Sequence, residues 1–269
     1  MTKAPPGSFV RRHRSGAWSV DPLRRWSGWL IDEMILAEWQ RFVASEPAGQ
    51  LGCLLDLGAG ERPYAPVYAP HADQTVALDW PGSLHGAGGL DVWGSAEALP
   101  FAAASFDTIL CTEVLEHVRA PERVLAECYR VLRPGGWLFL TTPFFNPLHE
   151  LPWDFYRYTP FALQALGEGA GLSLRRVSEK GGLGAFLLML WVYLATLLGL
   201  RWSRWLGGVP FSRWNPLFWV GLIWPQQVYL RCWKASCLGR RDITGQPASS
   251  DPPLHAVTLG YVAVFQKSA

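Results

Sequence analysis

An aspartate closes the apolar run Leu51 to Leu55, and two glycines follow one residue apart, in the order Asp56-Leu57-Gly58-Ala59-Gly60. A carboxylate ending a buried strand, with glycines behind it, lets backbone touch a nucleotide-like ligand with no side chain between them. Nineteen residues after Gly60 a second strand-like run, Thr75-Val76-Ala77-Leu78, ends in Asp79. A doubly wound fold sets a carboxylate against ribose hydroxyls at about that place. A nicotinamide-dinucleotide fold needs a third glycine, so that a helix N-terminus can approach a pyrophosphate. Here Glu61, Arg62 and Pro63 follow Gly60, which fits a ligand without pyrophosphate better. Further on, His117 follows a predicted strand near this pocket, placed to act as a base. The segment His149-Glu150-Leu151-Pro152-Trp153-Asp154-Phe155-Tyr156-Arg157-Tyr158-Thr159 gathers His, Glu, Asp, Arg and two Tyr after the next strand.

Six segments occur in order: Leu54 to Gly60; Leu78-Asp79; Ala96-Glu97-Ala98-Leu99-Pro100-Phe101; Phe106-Asp107-Thr108-Ile109; Val114-Leu115-Glu116-His117-Val118; and Leu132-Arg133-Pro134-Gly135-Gly136. Together they resemble the motifs of class I S-adenosylmethionine-dependent methyltransferases, type 11-like, over about residues 50–180 and the last strand. The resemblance implies S-adenosyl-L-methionine as methyl donor. It places Asp56 near the donor's ammonium group through backbone or water, with Gly58, Ala59 and Gly60 under its amino-acid part. It also places Asp79 on the ribose and Trp80 on the adenine face. Ser95, Ala96 and Glu97 border adenine, with Ser95 where many relatives carry Asp, and Thr112 and Glu113 close the floor under the methionine part.

The His149–Thr159 segment departs from the zincin pattern His-Glu-x-x-His, because Trp153 holds the second histidine position and Pro152 breaks the required helix. No metal is implied. The segment resembles the post-strand loop of methyltransferases that modify polysaccharides and glycans, which implies a glycan or lipid-linked acceptor. Arg157, with Asp154 beside it, would grip a phosphate or carboxylate, and Tyr156 or Tyr158 would stack on a sugar ring or quinone. Alternatively, Thr159-Pro160 simply caps the next helix while the aromatics pack beneath it. His117 and His149 are the candidate catalytic groups. For His117 the alternative is a motif residue present whatever the acceptor.

These motifs need a parallel sheet to position them. Strands are predicted near 52–57, 75–79, 89–93, 106–111, 136–142 and 172–178, and helices near 63–70, 121–132 and 160–169. That alternation gives an α/β, doubly wound, mostly parallel seven-stranded sheet. The resemblance implies that a last strand, His255 to Phe265, pairs antiparallel between the fifth and sixth. Residues 1–20 read as a disordered tail, and residues 21–180 and 255–269 as the methyltransferase domain. Within it Asp21 and Pro22 start a helix expected to cover one sheet edge. A polar linker spans 236–254.

A net charge of +2, with 17% charged residues, argues against a nucleic-acid partner. Five scattered cysteines, Cys53, Cys111, Cys128, Cys232 and Cys237, read as reduced thiols. With no apolar leader stretch, they predict a cytoplasmic location. Residues 181–235 form an apolar insertion holding seven of the fifteen tryptophans, interleaved with Arg201, Arg204, Arg213 and Arg231. Indoles and arginines so mixed predict peripheral contact with the cytoplasmic membrane face. A crossing would strand the last strand on the far side unless a second crossing followed, and Trp214 to Trp224 is too short for that. The alternative is a pair of helices packed on the domain as a lid or dimer contact, serving a soluble small-molecule acceptor. A non-catalytic scaffold is a further reading, opposed by Asp56, Gly58, Gly60 and Asp79. The oligomeric state is not legible in the sequence.

Overall fold

The computed structural model describes residues 10–12, 18–20, 29–45, 50–85, 89–205, 223–236 and 257–269. Two short strands, β1 (Val10–Arg12) and β2 (Trp18–Val20), pair antiparallel, and helix α1 (Trp29–Ser45) follows. The central sheet contains β3 (Cys53–Leu57), β4 (Gln74–Asp79), β5 (Val92–Trp93), β6 (Phe106–Thr112), β7 (Leu132–Pro143), β8 (Leu172–Glu179) and β9 (Gly260–Lys267). Its order is β5-β4-β3-β6-β7-β9-β8, parallel except for β9, which runs antiparallel between β7 and β8. The expected placement of the last strand is therefore met.

Helices α2 (Ala65–Tyr68), α3 (Pro121–Val131) and α4 (Pro160–Gly169) lie where the spacing predicts them. Proline opens α3 and α4, where its missing N–H costs nothing, and Thr159 caps α4 by accepting from the Ala162 N–H at 3.1 Å. Two apolar layers sandwich the sheet. One joins α3 and α4, through Val124, Leu125, Cys128 and Leu163, to Leu55, Ile109 and Leu138. The other joins α1, through Met34, Trp39 and Phe42, to Leu54, Leu110, Phe139 and Val264. Strands buried on both faces read as near-continuous apolar runs, as Leu54-Leu55 and Ile109-Leu110-Cys111 do.

The details correct several expectations. Helix α1 covers the middle of one sheet face, not an edge, because its apolar residues occupy more than one stripe; the Trp39 ring stands edge-on to Phe139 at 5.0 Å. Residues 10–12 and 18–20 are ordered within the supposed tail, since Val10 and Val20 are buried and the Val20 N–H donates to Glu33 Oε1 at 2.6 Å. The Asp21-Pro22 helix start and the linker residues 237–254 lie outside the described residues.

Two helices, α5 (Leu183–Trp205) and α6 (Trp224–Ser236), occupy the insertion. Ala185, Met189 and Val192, one face of α5, are buried, the first two in the same core as α1. The opposite face exposes Leu183, Leu187, Leu190, Trp191, Leu194, Leu197 and Leu198. Among the described residues, no helix is long and apolar enough to cross a membrane.

Candidate active site

At the carboxyl ends of β3 and β4 the chain turns tightly beside a cavity of about 290 Å³. Gly58 has φ +71°, and a Cβ there would meet Val114 Cγ2 at 2.3 Å, so the turn admits only glycine. The Gly60 N–H donates to Asp79 Oδ2 at 3.0 Å and the Trp80 N–H to Asp79 Oδ1 at 2.8 Å, which fixes the Asp79 carboxylate at the cavity wall. Of the predicted donor residues, Gly58, Asp79, Trp80, Ser95, Ala96 and Glu97 line this cavity. Glu97 Oε1 also accepts the N–H groups of Arg119 and Ala120, both at 3.0 Å, tying the wall to the start of α3.

Asp56, Ala59, Gly60, Thr112 and Glu113 do not line the cavity. Gly60 acts on it through Asp79. The Asp56 side chain is buried and accepts from the Tyr68 hydroxyl at 2.7 Å. It braces the sheet beneath the turn, so its expected approach to the donor is not a side-chain one. Burial pushes the Asp56 carboxyl up to about 6, against the lowering effect of Tyr68.

This shift gives a pH prediction. The folded state holds the Asp56 proton more tightly than the unfolded chain, so stability from this group falls as pH rises from about 4 through about 6 and is level above. The difference is about 2–3 kcal/mol. Asp56→Asn keeps an acceptor for Tyr68 and removes the titration. Its stability relative to wild type should therefore rise across that window, read by urea unfolding at both ends; a pH-independent difference would contradict it.

The residues expected to face the acceptor follow β6 and β7. Glu113 has φ +53° and Glu150 φ +51°, both strained for non-glycine residues and both at this end of the sheet. Glu113 Oε1 accepts from Lys180 Nζ at 2.5 Å and from Thr141 Oγ1 at 2.6 Å, which pairs a half-buried carboxylate with a wholly buried ammonium. His117 lines the cavity, and its Nδ1 lies 2.7 Å from the Trp153 carbonyl. Since a carbonyl only accepts, Nδ1 donates this bond, and Nε2 is turned toward Glu116 and Glu150. The rings of His117 and His149 meet edge-on at 4.9 Å. Beneath them Glu116 is wholly buried, and burial, with Glu113 nearby, holds its carboxyl well above the usual range.

The structure divides the predicted acceptor residues. The Arg157 fork binds Asp154 through Nη1 at 2.5 Å and Nη2 at 2.8 Å, and Asp154 also accepts the His149 N–H at 3.0 Å. The Asp154 side chain is 0% exposed, and the Arg157 pair draws its carboxyl down to about 2. Asp154 and Arg157 thus clamp the loop. Tyr158 is 4% exposed and donates to the Leu115 carbonyl at 2.9 Å. Stacking on an acceptor is closed to it, because its ring fills the core above α4. Tyr156 alone of the two tyrosines keeps an open ring, its hydroxyl donating to the Arg119 carbonyl at 3.1 Å. The packing reading therefore holds for Tyr158 and Thr159.

Sequence reading missed Trp153 and Arg119 as cavity residues, and Lys180. Trp153 stands edge-on to Trp80 at 5.2 Å with the Arg119 guanidinium 5.6 Å over its ring. Its position within the loop was a usable signal; Lys180, alone after β8, gave none.

A turn of this kind at the switch point of a doubly wound sheet defines a nucleoside-binding α/β domain. A family model described as a methyltransferase domain matches residues 55–140. An "Uncharacterized methyltransferase" of Mycobacterium sp. (strain JLS) is 32% identical over 72% of this chain and 84% of that protein. The demethylmenaquinone methyltransferase of Renibacterium salmoninarum is 31% identical over 55% of this chain and 59% of its own length. Among solved structures, phosphoethanolamine N-methyltransferase 2 of Haemonchus contortus, in complex with S-adenosyl-L-methionine, superposes with TM-score 0.53 and 14% identity. That match covers 91% of this chain and 56% of that one. The chain belongs to the class I S-adenosylmethionine-dependent methyltransferases. The residues present fit the donor: glycine where a Cβ would clash, a fixed carboxylate, and an indole on the cavity wall.

Proposed function

We propose that this methyltransferase acts on an oxygen of a glycan, lipid-linked or otherwise membrane-presented acceptor while docked on the cytoplasmic membrane face through residues 181–235. The observation that carries this reading is the join between α5 and the acceptor loop. Phe186 packs edge-on against Phe145 at 4.4 Å, and the Tyr193 hydroxyl donates to Asn146 Oδ1 at 3.1 Å. The exposed apolar stripe of α5 therefore continues into a rim where Leu148 and Leu151 are also exposed. An acceptor with an apolar part would meet one unbroken apolar margin.

In this reading Asp79 accepts from the ribose hydroxyls, Trp80 covers the base, and Ser95 to Glu97 border it. When bound, S-adenosyl-L-methionine supplies a methyl group on a sulfonium that is displaced in line, so the protein's task is placement. Tyr156 and Trp153 present ring faces at the acceptor side, while His117 and His149 present imidazoles there. Asp154 and Arg157 hold His149 in position.

Leu187→Glu, Leu194→Glu and Leu197→Glu together alter only the outward face of α5. A fully buried leucine is worth about 1.5–3 kcal/mol, so the triple variant should lose at least about tenfold in vesicle partitioning, with donor affinity unchanged. Wild-type docking on anionic vesicles should weaken with salt, since each arginine adds about 1 kcal/mol near such a surface, and persist in part through the apolar face. Absence of vesicle binding at any salt would hand the insertion to a lid or dimer contact.

A further inference from the structure

We propose that Glu116, His117 and His149 hold a divalent first-row transition ion at the acceptor end of the cavity. One ligand atom from each of the three lies within 4.8 Å of the others, and His117 Nε2 is 3.7 Å from Glu116 Oε1. Neither oxygen of the wholly buried Glu116 carboxylate has a hydrogen-bond partner. A buried carboxyl without hydrogen bonds is costly and rare, and a cation that displaces its proton to solvent gives its oxygens a partner.

Both imidazoles have Nδ1 beside a backbone carbonyl, and His149 Nδ1 also lies 3.4 Å from Asn146 Nδ2. His117 Nδ1 bonds the Trp153 carbonyl at 2.7 Å, and His149 Nδ1 bonds the Pro147 carbonyl at 3.1 Å, the contact that fixes tautomer and ring plane around bound ions. Asp154 lies 3.3 Å from His149 Nδ1 and stiffens that loop further. Glu150 Oε2 stands 4.0 Å from His117 Nε2 and adds negative charge beside the three ligands.

Two imidazoles with a carboxylate form a borderline set that suits Zn²⁺, Co²⁺, Mn²⁺ or Fe²⁺, and three protein ligands leave positions open. Ligands around such an ion stand roughly 3.3 Å apart, so a pair at the 4.8 Å limit closes by about 1.5 Å on binding. His149, on a partly exposed loop, can supply that movement.

The ion would take the acceptor's hydroxyl oxygen as a ligand and lower its pKa, the proton passing to solvent. His117 and His149 then act on the acceptor through the ion. This last step rests on the oxygen-acceptor reading above; ion binding itself does not.

The 269-residue chain stripped with a chelator and titrated with Co²⁺ alone, followed by visible absorption and calorimetry, tests the site. One Co²⁺ per chain with ligand-field bands of low coordination number is expected. His149→Ala should weaken binding by more than the roughly 10–100-fold typical of losing an outer-sphere partner. His71→Ala, far from the site, should leave binding unchanged. Should Glu116→Gln fail to fold, His149→Ala still decides. Binding that survives His149→Ala, or weakens equally in His71→Ala, overturns the proposal, as does no binding to wild type. Donor binding in the same samples is independent, so a lost ion with an intact donor site refutes the metal and not the methyltransferase.

Discussion

Lys180→Met should cost about 3 kcal/mol of stability, the lower end of what breaking a buried ion pair costs. The Lys180 side chain is 0% exposed and its Nζ sits 2.5 Å from Glu113 Oε1. Methionine fills the space and leaves the Glu113 carboxylate without its counter-charge, above a second buried acid, Glu116. Glu113 keeps some contact with water, which places the effect at the lower end. For a chain of this size the loss corresponds to a fall in melting temperature of roughly 6–12 °C. Adding Glu113→Gln removes the orphaned charge and should restore most of the loss. Failure of the double variant to recover would mean that Lys180 acts by packing alone. Packing is a real competitor, because Gly260 lies so close that a Cβ there would meet Lys180 Cε at 2.4 Å.

Asp79→Ala should weaken S-adenosyl-L-methionine binding by about 1.5–3 kcal/mol for each charged hydrogen bond lost. That is one to two orders of magnitude in dissociation constant per bond. The carboxylate is held at the cavity wall by the N–H groups of Gly60 and Trp80. Alanine therefore removes the ribose acceptor and loosens the turn together. Asp79→Asn keeps one acceptor for those amides and should weaken the donor less, which separates the two contributions. Equal donor affinity in wild type and both variants would contradict the placement of Asp79.

The fold was legible because its strands are buried on both faces. Runs such as Leu54-Leu55 and Ile109-Leu110-Cys111 announce themselves without any alternation, and the glycines at 58 and 60 mark the turn that leaves the first of them. Boundaries blurred where local signals were weak: β7 begins at Leu132, four residues early, because α3 feeds straight into it across Arg133-Pro134-Gly135. The donor pocket was legible where a residue's type is dictated by close approach or by a fixed carboxylate. That the Asp56 carboxylate braces the sheet was not legible, because a carboxylate ending a strand has two directions to face, and Tyr68, which draws it inward, is twelve residues away. The acceptor loop was legible as a cluster but not residue by residue. Nothing in the order of Asp154, Arg157 and Tyr158 says which bond each other or the core and which face outward. Lys180 and Glu113 meet across sixty-seven residues, a pairing that only the sheet brings about.

Calorimetric titration of the 269-residue chain with S-adenosyl-L-methionine, and separately with a nicotinamide dinucleotide, tests the donor assignment most directly. One methyl donor per chain, bound more tightly than the dinucleotide and weakened at least tenfold by Asp79→Ala, is the predicted result. Tighter binding of the dinucleotide, or no binding of the methyl donor to folded protein, would contradict it.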